Sequence, residues 1–83
     1  MRKLADYGTD DHPDGDPDRT PVAWTVASID DCDGCEALRV ELTVEEMDRP
    51  GTGLAAHLAP DSARRLRTAI AGALRDLGED PGP

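Results

Sequence analysis

The chain has no phenylalanine, one tryptophan and one tyrosine. A sequence so poor in aromatic rings offers no stacking surface for single-stranded nucleic acid, whose bases bind by lying against such rings. Lysine occurs once, as Lys3, and 9 basic residues stand against 18 acidic ones, a formal net charge of -9. Nucleic-acid affinity rests on cations that neutralise phosphates, so this balance argues against DNA and RNA. An anionic membrane surface meets the same repulsion. No stretch approaches the roughly 20 apolar residues of a bilayer span. The segment Met1-Arg2-Lys3-Leu4-Ala5-Asp6-Tyr7-Gly8 has no apolar run behind its charged pair, and the expectation is a chain without a secretory leader. Hydrolytic motifs are missing too. Ser28 and Ser62 lack a G-x-S-x-G context, and Gly51-Thr52-Gly53 lacks the lysine and helix of a phosphate-cradling loop. The expectation is a protein that is not an enzyme.

Two cysteines without a leader point to the reducing cytoplasm, where thiols or metal ligands outnumber structural disulfides. Eight of the nine cations are arginine, and alanine, aspartate, glycine and proline abound. That bias is the mark of a high-GC bacterial coding sequence, of the actinobacterial kind.

Eighty-three residues make one domain at most. Residues 1–20 read as a disordered acidic tail. Asp10-Asp11-His12-Pro13-Asp14-Gly15-Asp16-Pro17-Asp18 has no apolar residue and cannot offset its ordering entropy. Its D-x-x-x-D-G spacing echoes a calcium loop, but Pro21 stands where the bidentate glutamate belongs. A folded unit is expected over 21–78. Val22, Trp24 and Val26 share one face of a first strand, with Trp24 as the centre of a small core. Leu38, Val40, Leu42 and Val44 alternate against Arg39, Glu41, Thr43 and Glu45 in a second, half-buried antiparallel strand. Asp33-Gly34 and Asp48-Arg49-Pro50-Gly51 mark turns, and a short third strand is expected over Leu54 to Leu58.

The helix is announced by Pro60 at its first position and Asp61 at the positive end of its dipole. Ala63, Leu66, Ile70, Ala73, Leu74 and Leu77 recur at three- and four-residue spacing, and Gly78 is a natural stop before a second tail at 79–83. The predicted fold is therefore α+β, a small antiparallel sheet of two to three strands covered by one C-terminal helix.

Cys32-Asp33-Gly34-Cys35 is the one local motif with chemistry in it. A CxxC in a tight turn between strands resembles one knuckle of a zinc ribbon, with glycine relieving the turn. A structural site needs four ligands, so Cys32 and Cys35 call for His57 and a further His12 or carboxylate. A redox reading competes. The neighbours Asp30, Asp31, Asp33 and Glu36 raise thiol pKa values and weaken such a nucleophile. Two ordinary thiols in a turn remain the plain alternative, and His57, which could neighbour a strand carboxylate such as Glu41, reads as a solvated surface histidine.

Leu58-Ala59-Pro60 followed by Ala63-Arg64-Arg65-Leu66, in roughly the last third of the chain, resembles the strand, Leu-x-Pro step and Ala/Arg/Leu-rich helix in which many small actinobacterial proteins end. The order Thr25 to Gly34, an alternating strand, then Leu58 to Ile70 is similar to the N-terminal dimerisation domain of actinobacterial H-NS-like nucleoid-bridging proteins. That resemblance spans about residues 22–78. It implies a small sheet-plus-helix that oligomerises, here without the family's basic linker or DNA-binding domain. A chain this short also buries little surface as a monomer. Together these set the functional expectation: a non-enzymatic interaction or oligomerisation module, a homodimer or the partner of another protein. No cofactor is expected, save zinc in the alternative centred on the CDGC turn.

Overall fold

The computed structural model describes residues 1–12, 15, 17–30, 38–47, 49 and 51–83. Four strands and one helix follow in order: β1 (Arg2–Thr9), β2 (Val22–Ile29), β3 (Arg39–Glu46), β4 (Leu54–Leu58) and α1 (Pro60–Asp76). The strands form an antiparallel meander in the order β1-β2-β3-β4. The α+β class stands, but the sheet has four strands where two to three were expected.

The added strand lies inside the segment expected to be disordered over 1–20. Arg-Lys-Leu-Ala-Asp-Tyr-Gly-Thr has neither apolar alternation nor β-branched density, so no local signal marks it. Its order comes from β2, whose outer backbone groups need partners. The pairing is irregular, with register shifts between Lys3 and Ala5 and between Ala5 and Gly8. Gly8 sits beneath the indole of Trp24, where an added Cβ would fall 2.3 Å from the ring. Only a glycine lets the ring lie this close. Asp10 closes the hairpin. Its backbone N–H donates to the Val22 carbonyl at 3.0 Å, and its carboxylate accepts from the His12 N–H at 2.9 Å and pairs with Arg19.

The β2–β3 register runs unbroken from Val22↔Glu46 to Ile29↔Arg39, and β3–β4 from Val40↔Leu58 to Val44↔Leu54. Period-two alternation then defines two faces. Trp24, Val26, Val40, Leu42, Val44, Leu54, Ala56 and Leu58 share one. Ala23, Ala27, Ile29, Glu41, Thr43, Glu45 and His57 share the other. This matches the alternation expected of β2 and β3, and β4 occupies the span expected of it.

Helix α1 begins at Pro60 as expected, and its end is a Schellman motif. The Glu79 N–H reaches the Leu74 carbonyl at 2.9 Å and the Gly78 N–H reaches that of Arg75 at 3.0 Å, with Gly78 at φ 77°. The 79–83 segment carries no regular structure, yet Arg67 donates to the Pro83 carbonyl at 3.0 Å and ties it to the helix.

The helix does not close over the sheet. It approaches only β3 and β4, and none of its residues is buried. Among the described residues the buried apolar side chains are Ala23, Ala27 and Ile29. All three lie on β2, on the face away from α1, where Lys3 and Glu41 flank Ala27 in the neighbouring strands. Trp24 is 40% exposed and covers the sheet rather than centring a core. The radius of gyration, 14.7 Å, exceeds the roughly 12 Å of a compact chain this long.

Candidate functional site

Three features stand out. The first is an open groove of about 610 Å³ between the apolar sheet face and α1. Val26, Val40, Leu42 and Leu58 form its floor, and Leu66 and Ile70 contribute from the helix. Leu66 is 38% and Ile70 55% exposed, so the apolar stripe that should seal the core is half in solvent. Arg64, Arg67 and Arg75 also line the groove. The helix carries four arginines against Asp61 and Asp76 in a chain otherwise rich in acid. Three of these four arginines therefore border the apolar cleft.

The second is the outer edge of β4. Leu54-Ala55-Ala56-His57 are all exposed, Leu54 at 85%. At its entry Gly53 packs so tightly that an added Cβ would fall 2.3 Å from the Val44 carbonyl oxygen. The start of β4 is thereby pinned against β3, while among the described residues no strand pairs with its far side.

The third is a polar pair on the opposite face. The β3–β4 register sets Glu41 beside His57, whose Nε2 shares a hydrogen bond of 3.1 Å with Glu41 Oε2. Thr43 donates to Glu41 Oε1 at 3.2 Å. His57 was expected at the surface, with Glu41 as a strand carboxylate it could neighbour; it is exposed and pairs with Glu41. This pair lies on an open sheet face, and no serine or cysteine nucleophile is placed beside it among the described residues.

The zinc expectation named Cys32, Cys35 and His57. Cys32 and Cys35 lie outside the described residues, as does the Asp33-Gly34 turn. The β2–β3 connection leaves the sheet at Ile29↔Arg39, two register positions from Glu41↔His57. Among the described residues no three His, Cys, Asp or Glu side chains converge as a metal cage. No helix is long and apolar enough to cross a membrane.

The groove escaped sequence reading for one reason. Periodicity shows which residues are apolar, not whether the two apolar surfaces meet. A signal for the edge was present, in five successive residues with no Lys, Arg, Asp, Glu or Pro. No family model, curated protein or solved structure matches this chain.

Proposed function

We propose that this chain is a non-enzymatic interaction module that works as a homodimer. One observation carries the reading: the lone chain leaves too much of itself in water. Its accessible surface is 6546 Å², whereas a compact monomer of 8.9 kDa exposes roughly 4,800 Å². The excess, roughly 1,700 Å², is about twice the ~800 Å² that each partner contributes to a standard interface. Much of it is apolar. Trp24, Val44 and Leu54 on the sheet and Leu66, Ile70 and Leu77 on the helix are exposed large hydrophobic side chains. Trp24, Val44 and Leu54 lie side by side across three strands, and an apolar patch of this kind marks a place where another chain sits.

The acidic balance keeps such a module soluble while its apolar face associates. The cytoplasmic setting and the absence of nucleic-acid binding belong to the same proposal.

Native mass spectrometry of the untagged protein under reductant tests it. The expected result is a dimer mass without adduct. A monomer that stays compact at high micromolar concentration in sedimentation velocity would overturn it. A retained zinc ion would move the account to Cys32 and Cys35.

A further inference from the structure

We infer that the second copy pairs antiparallel along β4, with Ala56 on the twofold axis, joining the two four-stranded sheets into one. This rests on the dimer reading and adds the surface and register that make the dimer.

The edges of a sheet present unpaired N–H and C=O groups, and proteins guard them with charge, proline or bulges. β1 is guarded by Lys3, Asp6 and two register shifts. β4 has none of these devices. Its pairing with β3 runs through five consecutive residues without a shift, and among the described residues no strand pairs with its outer side, which is a regular ladder able to take one.

The sequence of β4 also fits itself. With Ala56 opposite Ala56 of the second copy, Leu54 meets Leu58 of that copy, and Ala55 meets its His57. Side chains in a strand alternate with period two, so this register keeps every leucine on the apolar face. The row Val40, Leu42, Val44 beside Leu58, Ala56, Leu54 then continues unbroken across the axis. A slip by one residue would set Leu54 against His57 and mix the faces. His57 stays free to keep its hydrogen bond to Glu41, which reaches inward to β3 rather than outward.

The groove is the rival surface, and charge speaks against it. A second α1 laid there would bring its arginines toward Arg64, Arg67 and Arg75. Like charges brought together across an interface disfavour that partner. The β4 edge carries no Lys, Arg, Asp or Glu to repel a second copy.

The test compares two lysine substitutions by sedimentation velocity over a concentration series. Leu54→Lys and Ile70→Lys both fall on exposed positions, 85% and 55%, so neither disturbs a buried core. Leu54→Lys is expected to weaken dimerisation at least tenfold, and Ile70→Lys to leave it within about twofold. The reverse pattern would overturn the β4 register and keep the dimer. A monomeric wild type would overturn both. A second measurement covers loss of folding in Leu54→Lys. In a chain with Cys32 and Cys35 changed to serine, Ala56→Cys is expected to cross-link to a covalent dimer under mild oxidant. Directly opposed residues in antiparallel strands have Cα atoms ~4.5–5.5 Å apart, within disulfide reach. Leu54→Cys, displaced from its own copy by several residues, is expected not to. Cross-linking at 54 and not at 56 would overturn the register.

Discussion

The two edges of the sheet are built on opposite plans. β1 is eight residues long, carries the Lys3–Asp6 ion pair at 3.6 Å, and is kinked twice against β2. β4 is five residues long, regular, and uncharged apart from its histidine. One edge is finished and the other is left open. In a chain with 18 acidic residues, charge is cheap to place. Its exclusion from β4 is what the proposed β4–β4 pairing requires. β1 shows the converse: a strand without an apolar face can still be ordered when it closes the backbone of its neighbour.

Glycine substitutions break this comparison most sharply, because each edge has one pressed against a neighbour. Gly53→Ala puts a methyl group 2.3 Å from the Val44 carbonyl oxygen and 2.4 Å from Glu45 Cβ. Backbone must move, so the expected loss is about 3 kcal/mol in urea unfolding. The dimer should weaken with it, since β4 leaves its place. Gly8→Ala drives a methyl group into the indole of Trp24, a side chain with some room to tilt outward. The expected loss is about 2 kcal/mol. Trp24 is the only tryptophan, so its emission should shift to the red as the ring swings into solvent. The proposed dimer should survive, because β4 is untouched. Equal loss of dimer from both substitutions would show that the edges are not independent.

Much of this fold is legible in the sequence. The alternation from Val40 to Val44, the strand Leu54–Leu58 and the helix from Pro60 to its Gly78 stop need only local periodicity and cap chemistry. β1 is not legible, because its eight residues hold no pattern and its order is borrowed from β2. The half-exposed Trp24 is not legible either. An inward strand position says which face a ring is on, not whether a second layer covers it. The candidate site shares that blindness. The β4 edge is readable once its missing charges are noticed. The groove is not, since it depends on how far α1 stands off the sheet. Of the expected ligands His57 and His12 can be placed and Cys32 and Cys35 lie outside the described residues; the alternation of β3 already set Glu41 on the face where its partner is found.

That pair supplies a smaller test, on the face opposite the groove. His57→Ala removes the hydrogen bond to Glu41 Oε2 while Thr43 still donates to the other oxygen. Both side chains are partly solvated, and cross-strand polar pairs of this exposure contribute about 0.5 kcal/mol. The melting temperature should drop by a few degrees, and dimerisation should weaken far less than in Leu54→Lys. A loss several times larger would mean that the pair fastens β4 to β3 and so sets the open edge in place.

The smallest effect belongs to the finished edge and is read through pH. Asp10 closes the β1–β2 hairpin, and the backbone N–H of His12 holds its carboxyl below the ordinary aspartate value of 3.8, with Arg19 adding to the effect. A carboxyl depressed in the folded chain contributes stability above its unfolded value and loses it as the pH falls through the folded one. The wild-type melting temperature should therefore decline on acidification below about pH 5. Asp10→Asn should start lower at neutral pH and decline less. Because the contact is at the surface, the difference between the two curves should be small and should shrink in high salt. Identical acid profiles would mean that the hairpin is held by its backbone ladder alone. The guard on β1 would then be its register shifts and Gly8 rather than its charges.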